Sequence, residues 1–459
     1  MRDLSPRLPL HNLTNLWYNR STLLKGGTMA MKRTMIVLGV ALAGALMSAS
    51  AQVSFKHLKS VDLSSYFPTG GQQGDLASDV AFDGANLYIA GMSTADTPDP
   101  VPVGVLKISN VLSLDASAWS YTPLITLTQA GRSCCSYIVY RDGFLYLGTG
   151  LGDTSNDQAR TGIRKFNAQT GAQVTEWNLT GVVTPGLLDV DGSSRRAECI
   201  EIDPGYRGTS ATLAVLAQGR DLIFRRALAS GRGVGVRFVC RPLRDCVNGT
   251  GVTTGMRDIT FSPEGDVYLR VDNSIFYGQR TGANTVADNR ACRIFDFDSD
   301  DPSQVLINIH YLRTSAGNFL VYNRRTGDAN NRLNKVFIAS GSGATWTPYV
   351  ELTGDEPLPN GSTPSAYGFD IFNFTSGVGP DPSKGDVNLD GVVDDADLLA
   401  VLFAFGSSNA ATDVNSDGVV DDADLLTVLF NFGSRPQAQY LFIVHSSIDT
   451  DRLDIYRVD

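Results

Sequence analysis

The body of the chain, from Val53 to Phe374, is a succession of short apolar runs separated by tight polar turns. Ser78–Phe82, for example, is followed by the turn Asp83-Gly84 and then by Asn86–Gly91. Apolar runs bounded by Gly, Asp and Asn are typical of β-strands, and Asp-Gly pairs between such runs are typical of hairpin turns. Helical periodicity is nearly absent from this region. We therefore expect the body to be mainly β.

These groups of strands recur every 50–60 residues, with starts near Ser78, Cys134, Ala197, Gly255, Val305 and Tyr367. Repeated groups of three or four strands are typical of a β-propeller, in which radial packing protects the sheet edges. The repeat resembles secreted β-propellers in general. We predict about six blades, with seven as the alternative count. A β-sandwich, or a pair of small β domains, is the alternative fold.

The N-terminal segment has the pattern of a secretory signal. Lys32-Arg33 precedes the 13-residue apolar run 35–47, and Ala49-Ser50-Ala51 follows it as a cleavage site. The run is too short to span a bilayer as a helix, and no second long apolar run follows. We expect cleavage after Ala51, secretion and no transmembrane anchor in the mature chain. A buried helix or an uncleaved anchor is the alternative, and translation starting at Met29 or Met31 would remove the upstream extension.

The charge distribution is uneven. The chain of 459 residues has 38 basic and 48 acidic side chains, a formal net charge of −10. This balance argues against a nucleic-acid-binding protein. Without residues 1–51, 32 basic and 47 acidic residues remain, and the net charge becomes −15. Ten of the acidic residues lie between Asp386 and Gly433, where no Lys or Arg occurs, so the acidity is concentrated in one short segment.

Two twelve-residue segments, 386–397 and 413–424, lie 27 residues apart and differ at one position. Each has oxygen-bearing side chains at positions 1, 3, 5, 9 and 12 and Gly at position 6. Ca²⁺ prefers about six to eight oxygen ligands, and an EF-hand loop turns sharply at that Gly. We therefore predict two Ca²⁺ ions, each also bound by the carbonyl at position 7. The predicted ligands are Asp386, Asn388, Asp390, Val392, Asp394 and Asp397 in the first loop and Asp413, Asn415, Asp417, Val419, Asp421 and Asp424 in the second.

Each loop has Asp at position 12, where an EF-hand has Glu, and no helix precedes it. One helix is predicted after each loop, over Asp397–Phe405 and Asp424–Phe432, ending at Gly406 and Gly433. Apolar residues recur on these helices at helical spacing, so we expect them to pack one helix on the other. They are Leu398, Leu402 and Phe405 in the first helix and Leu425, Leu429 and Phe432 in the second.

A calcium loop followed by one Leu-rich helix, present twice, resembles the type I dockerin domain over about residues 385–434. The resemblance implies two Ca²⁺ ions and docking onto a cohesin-type module, often in the delivery of polysaccharide-degrading enzymes. Near-identity of the halves implies two-fold symmetry, which in dockerins permits two docking orientations. The family's recognition positions match Asp395-Ala396 and Asp422-Ala423, which depart from the usual Ser, Thr or apolar pairs, so the cohesin specificity stays open. A thrombospondin-like acidic calcium repeat is the alternative.

The calcium segment interrupts the β-rich body. Tyr367–Phe372 precedes it, and Tyr440–His445 and Arg452–Val458 follow it. These three strands fit one blade, whose fourth strand we expect from Phe55–Leu63. The predicted organisation is an upstream extension with signal peptide (1–51), a propeller (52–384), a dockerin-like domain (385–434) and final strands that close the propeller (435–459).

The remaining residues identify no catalytic site. The motifs G-x-S-x-G and H-E-x-x-H and the P-loop are absent, and Gly343–Trp346 is interpreted as a strand turn, since a sialidase Asp-box has Ser and Asp where this chain has Ala339 and Gly341. We expect His310 and His445 to be packed strand residues. Export makes disulfides plausible among Cys134, Cys135, Cys199, Cys240, Cys246 and Cys292, and the pairing stays open.

Two functions stay open for the propeller. It either binds an extracellular ligand such as a carbohydrate, or it is a glycoside hydrolase or lyase that acts in polysaccharide catabolism. Two or three carboxylates around the propeller axis would favour the enzyme, whereas an apolar and neutral axis would favour binding.

Overall fold

The computed structural model describes residues 53–67, 75–93, 101–127, 137–149, 162–178, 197–207, 209–217, 223–228, 243–244, 256–283, 285–287, 291–297, 304–326, 334–352, 371–446 and 451–459. Met1–Gln52 and Val53–Asp459 form separate units. The predicted signal peptide and its cleavage site therefore lie outside the described residues. None of the described helices is long and apolar enough to cross a membrane.

The described chain is mainly β, as predicted, and its strands form six sheets of three or more strands and one small hairpin. In order across each sheet, the strands are β2 (Asp75–Phe82), β3 (Leu87–Ser93), β4 (Val101–Ser109) and β5 (Ser120–Leu127); β6 (Tyr137–Arg141), β7 (Phe144–Thr149), β8 (Gly162–Asn167) and β9 (Gln173–Asn178); β10 (Ala197–Asp203), β11 (Thr212–Ala217) and β12 (Ile223–Ala227); β13 (Leu243–Arg244), β19 (Ala291–Asp296), β16 (Ser274–Gly278), β15 (Val267–Val271) and β14 (Met256–Phe261); β20 (Gln304–Thr314), β21 (Gly317–Thr326), β22 (Asn334–Ser342) and β23 (Thr345–Leu352); and β1 (Phe55–Asp62), β26 (Asp451–Val458), β25 (Gln437–Ser446) and β24 (Ile371–Pro380). The hairpin pairs β17 (Arg280–Gly282) with β18 (Thr285–Val286).

The sheets are arranged in a ring. Their innermost strands, β2, β6, β10, β14, β20 and β24, contact one another in that order, and β24 contacts β2. Six hydrophobic clusters each join two neighbouring sheets. Between the last sheet and the first, for example, Phe442 packs in one cluster with Ile89 and Leu106. This radial packing of sheets is the β-propeller arrangement.

The number of complete blades differs from the prediction of six. Five sheets have four or five strands, whereas the sheet of β10, β11 and β12 has three described strands. The sequence count followed the innermost strands, and a short inner strand does not show how many strands will pair outside it. Residues 229–242, which follow β12, lie outside the described residues.

The last blade combines both ends of the described chain, as the sequence predicted. β1 pairs antiparallel with β26, so that Phe55 lies opposite Val458. Ser54 and Asp459 exchange two backbone hydrogen bonds of 2.9 Å. Because an unpaired strand edge invites association, this pairing protects the edge of β26.

Tight turns connect the strands at one end of several sheets. Asp142-Gly143 joins β6 to β7 with φ values of 49° and 83°, as a two-residue primed turn requires. At Asp83-Gly84 the Asp83 Oδ1 accepts the N–H groups of Ala85 and Asn86 at 2.9 and 2.6 Å. Both Asp-Gly pairs are therefore hairpin turns, as predicted.

The segment between β24 and β25 contains two helices, α1 (Asp395–Ala404) and α2 (Asp422–Phe430). Each begins two residues before its predicted start, because the side chains of Asp394 and Asp421 cap the first turns. Gly406 and Gly433, both at φ 78°, follow the helices in the left-handed conformation. We call residues 381–436 the inserted module.

Candidate functional sites

The first acidic loop, 386–397, is held in shape by its own carboxylates. Asp386 is buried, and its Oδ2 accepts the N–H of Gly391 at 3.0 Å. Asp397 is also buried; its Oδ1 accepts the N–H groups of Val387 and Asn388 at 2.9 and 3.1 Å, and its Oδ2 accepts that of Asp394 at 2.9 Å. Positions 1 and 12 therefore fold the loop around its centre.

The second loop, 413–424, has nearly the same arrangement, except that Asp413 Oδ1 also accepts the N–H of Asp417 at 3.1 Å. Asp413 Oδ2 accepts the N–H of Gly418 at 2.8 Å. Asp424 Oδ1 accepts the N–H of Asn415 at 3.0 Å, and its Oδ2 accepts that of Asp421 at 2.9 Å. The two loops thus have the same fold as well as nearly the same sequence.

The middle of each loop presents polar side chains to solvent. Asn388 and Asn415 each donate their side-chain amide to the following Asp, Asp390 and Asp417, at 3.1 and 2.9 Å. The Oδ1 atoms of these two aspartates accept the N–H groups of the two position-7 valines, Val392 at 3.0 Å and Val419 at 3.1 Å. Asp394 and Asp421 accept the N–H of the second residue of their helices at 2.8 Å. Asp394 and Asp421 are therefore helix caps as well as predicted ligands. An Asp just before an apolar helical pattern is typical of such a cap.

The electrostatics of the first loop favour a cation. The Oδ1 atom of Asp386 is buried and accepts no hydrogen bond. Burial and the neighbouring Asp397 raise the pKa of Asp386 to about 6, as expected when carboxylates share a partly desolvated site. Within the described residues no three His, Cys, Asp or Glu side chains converge as a ready-made metal cluster. The predicted ligand sets also include Asn side chains and carbonyl oxygens, the hard donors that Ca²⁺ takes.

The apolar contacts of the helices differ from the predicted stripe. The interior of the module consists of valines together with partly buried Leu398 and Leu425, and it includes Val401 of α1 and Val428 of α2. Leu402, Phe405, Leu429 and Phe432 are exposed instead. The prediction was wrong for these four residues because helical spacing identifies apolar stripes without telling which stripe finds a partner.

Large apolar side chains are exposed along both helices and just after them. Phe403 and Phe430, one repeat apart, are 86% and 83% exposed. Around them lie exposed Leu399, Leu402, Phe405, Leu426, Leu429 and Phe432. A concentration of large exposed apolar side chains is typical of an interaction surface. Asp395, Ala396, Asp422 and Ala423, at the predicted recognition positions, are also exposed, at the starts of these helices.

A cavity of about 220 Å³ lies on the propeller axis and is lined by all six innermost strands. Three carboxylic acids line it, Asp79, Glu201 and Asp258. Asp79 Oδ2 accepts the N–H of Ile138 at 2.7 Å, and Asp258 Oδ2 accepts the N–H of Ile309 at 2.7 Å. Each of these bonds joins one innermost strand to the next. Asp79 and Asp258 therefore hold neighbouring blades together.

Glu201 is bound differently from the two aspartates. It is partly exposed to the cavity, and its Oε1 accepts the N–H of Ile202 at 2.6 Å. Burial and the nearby Asp258 raise the pKa of Glu201 to about 7, whereas burial lowers that of His310 to about 4. His310 Nε2 lies 2.7 Å from Ser376 Oγ. Glu201 is thus the cavity carboxyl suited to exchanging a proton near neutral pH.

The sequence analysis did not identify this axial set. A signal was available, because Asp79 and Asp258 each lie three residues before a Phe that ends the strand, Phe82 and Phe261. The same position in two repeats faces the same neighbour in a propeller. Glu201 had no such signal.

A second cavity, of about 350 Å³, lies between the first two blades. Tyr88 is buried, and its ring stacks on that of partly exposed Tyr140 at 6.1 Å and 4°; Lys107 Nζ lies 5.9 Å from the centre of the Tyr88 ring. Tyr88 donates its hydroxyl to Asp83 at 2.8 Å. Partly exposed Asn86 and Asn167 also line this cavity. Aromatic rings beside amide and ammonium groups suit a polar ligand with apolar faces.

The other singled-out residues have structural positions. His445 is buried, and burial together with Arg452 lowers its pKa to about 3. Cys199 is a free, buried thiol on β10. Cys292 is disulfide-bonded, and the remaining four cysteines, its partner among them, lie outside the described residues. Gly343 lies in the turn between β22 and β23 at φ 57°, which agrees with its interpretation as a strand turn.

No known protein family matches the sequence, and no curated protein matches it. Solved structures share a distant likeness. An α-L-arabinanase from Cellvibrio cellulosa is 13% identical over 60% of this chain and 96% of its own, with a TM-score of 0.36. A PQQ-bound aldose sugar dehydrogenase from Streptomyces coelicolor is 12% identical over 89% of this chain and 99% of its own, with a TM-score of 0.37.

A protein from Bifidobacterium bifidum assigned as an exo-beta-1,3-galactanase is 14% identical over 61% of this chain and 92% of its own, with a TM-score of 0.38. Likeness at these scores is too low to transfer an activity to this chain.

Proposed function

We propose that the chain is a secreted calcium-binding protein in which residues 385–434 form a dockerin-like docking module and the propeller binds an extracellular carbohydrate. The observation that carries the proposal is the buried Oδ1 of Asp386, which accepts no hydrogen bond inside a loop of calcium-ligand composition. The twelve residues predicted as ligands would hold two Ca²⁺ ions, whose charge offsets the clustered carboxylates. The disulfide at Cys292 supports an oxidising, extracytoplasmic location.

Calorimetry of EDTA-treated protein tests the calcium sites. We expect two Ca²⁺ per chain, a gain of helical circular dichroism and protection of 385–434 against proteases, because short helices are marginal without tertiary support. The variant Asp386→Ala with Asp413→Ala should keep the low helicity and the protease sensitivity of the EDTA-treated protein, even in excess Ca²⁺. Asp395→Ala with Asp422→Ala removes the same charge from exposed positions outside the ligand sets and should bind Ca²⁺ normally. No binding, or one site instead of two, would refute this part.

The exposed helical surface supports a protein partner, and we propose a cohesin-type module. Its apolar residues occur in equivalent positions on α1 and α2, as docking through either half requires. Binding to a panel of immobilised cohesin modules tests the proposal in the presence of Ca²⁺. Phe403→Ser with Phe430→Ser should abolish binding without unfolding the module, since both rings are exposed. Leu58→Ser changes an exposed apolar residue on β1 and should bind like the wild type. If no cohesin binds the wild-type protein, the docking proposal is rejected.

The cavity of Tyr88 and Tyr140 supports carbohydrate binding by the propeller. Of the two rings only that of Tyr140 is partly exposed, and we propose that it contacts a sugar ring while the amide and ammonium groups of the cavity bind hydroxyls. A polysaccharide array with the mature protein identifies ligands. Tyr140→Ala should weaken the strongest signal at least about tenfold, the effect of losing a contact worth ~1.4 kcal/mol. An array without signal would contradict carbohydrate binding.

A second candidate function, glycoside hydrolysis or lyase chemistry on the axis, is favoured by Glu201 and its raised pKa. Against it, both oxygens of Asp79 and of Asp258 accept backbone hydrogen bonds and so serve the scaffold. Hydrolysis of array-positive polysaccharides by the wild type and its loss in Glu201→Gln would establish the enzyme. Unchanged hydrolysis in that variant would exclude Glu201 as its acid.

A further inference from the structure

The two calcium loops differ at position 4, where the first has Leu389 and the second Ser416. Both residues adopt the left-handed conformation, at φ 63° and 61°. The left-handed conformation is unfavourable for a residue such as Leu. Leu389 nevertheless adopts it, so we expect another contact of Leu389 to offset the cost.

The compensating contact comes from the propeller. Leu389 is partly buried and packs against the hydrophobic cluster that joins the last blade to the first. Ser416 is exposed. The difference extends along the loops, because Val392 is partly buried whereas its counterpart Val419 is 49% exposed. The first loop therefore lies against the propeller, and the second faces solvent.

The base of the module is fastened to the same blade. Arg457 on β26 donates to Ser383 Oγ at 2.5 Å and forms an ion pair with Asp381 at 3.4 Å. The N–H of Asp381 donates to the carbonyl of Pro436 at 3.1 Å, which joins the two ends of the module. Gly379, at the end of β24, approaches Leu112 of the same cluster so closely that a Cβ would lie 2.5 Å from it. The base of the module is thus bonded to β26, one of the strands that close the ring.

From this asymmetry, we propose that Leu389 is the contact by which the first calcium loop stabilises the closure of the propeller, so that the two calcium sites are unequal. The proposal rests on the proposed calcium binding. The first loop is held in its folded conformation by the propeller, so it binds Ca²⁺ with less ordering cost than the second. By thermodynamic linkage, Ca²⁺ in the first loop stabilises the contact of Leu389 and with it the last blade.

Two substitutions exchange the residues at position 4. Leu389→Ser makes the two loops identical in sequence, and Ser416→Leu is the matched control in the loop that faces solvent. Calorimetry on the wild type should resolve two Ca²⁺ sites whose affinities differ by about tenfold, within the usual range of coupling between sites. In Leu389→Ser the two affinities should become equal, and in Ser416→Leu they should stay unequal.

The effect on the propeller is measured separately. Hydrogen exchange of the wild type should show that Ca²⁺ protects the amides of β1 and β26, and Leu389→Ser should lose this protection while still binding two ions. Leu389→Met retains an apolar contact and should retain protection, which keeps the test valid if the Ser variant folds poorly. If the wild type binds two ions and β1 and β26 gain no protection, this inference is wrong but the proposed calcium binding stands. A wild type that binds no Ca²⁺ would overturn the proposed function and this inference with it.

Discussion

Replacing Glu201 by Gln should remove a specific pH dependence from the stability of the propeller. Burial in the axial cavity and the nearby Asp258 raise the pKa of Glu201 from 4.5 to about 7, against the opposing hydrogen bond from Ile202. The folded state therefore binds the Glu201 proton more tightly than the unfolded state does. For a carboxyl with a raised pKa, the folded state has its full stability below pH 4.5 and loses it as the pH rises through 7.

The magnitude follows from the two pKa values. A tenfold difference in proton affinity corresponds to ~1.4 kcal/mol, so the rise to about 7 corresponds to roughly 3 kcal/mol. Glu201 is partly exposed, and screening by water reduces the expected loss to about 2–3 kcal/mol. This is a large fraction of the stability of a typical domain.

Urea unfolding at pH values from about 4.5 to about 8.5 measures this loss. The free energy of unfolding of the wild type should fall, relative to Glu201→Gln, across this range by the amount above. Asp79 and Asp258, whose pKa values burial also raises, remain in both proteins, and their charge repulsion with Glu201 is part of the difference that the comparison measures. Glu264→Gln is the matched control, because the hydrogen bond from Arg313 lowers the pKa of Glu264; it should follow the wild type above pH 6. Parallel curves for the wild type and Glu201→Gln would refute the assignment.

Three further predictions concern the chain ends and the interior. Secreted protein should begin at Gln52 by mass spectrometry, and a mature chain that retains Met31 would contradict signal cleavage. Deleting residues 52–64 should expose the edge of β26 and cause aggregation visible by light scattering; a monomer with unchanged melting would argue against this role of β1. The Nη1 and Nη2 atoms of buried Arg280 lie 2.5 and 3.0 Å from the two carboxylate oxygens of Asp203. Asp203→Ala removes this counter-ion and should lower the free energy of unfolding in urea by about 3–5 kcal/mol. A loss below about 1 kcal/mol would contradict this reasoning.

Features that depend on neighbouring residues could be predicted from the sequence. The Asp-Gly hairpins, the innermost strands and the two acidic loops all follow from residues within one turn or strand. The helices after the loops could be predicted for the same reason, apart from starts that shifted by two residues because Asp394 and Asp421 cap them. The pairing of β1 with β26 could be predicted as well, since a propeller whose last blade lacked a strand left one place for the N-terminal strand.

The contacts of individual side chains with distant residues were decided by the tertiary structure. Helical spacing indicated Leu402 and Phe405 as packed, but Val401 and Val428 form the interior together with valines of the two loops. Asp79 bonds to Ile138, 59 positions away; its repeated position before Phe82 marks it in the sequence, but only the structure shows which residue it bonds.

The sequence alone determined which residues have the chemistry of a calcium loop and where strands begin and turn. The tertiary structure decided which of two nearly identical loops lies on the propeller and which carboxyls are desolvated. Leu389 and Ser416 share a backbone conformation, yet one packs on a blade and the other faces water. Backbone conformation depends on local sterics, whereas burial depends on every element that packs around a residue, so the first can be read from a short segment and the second cannot.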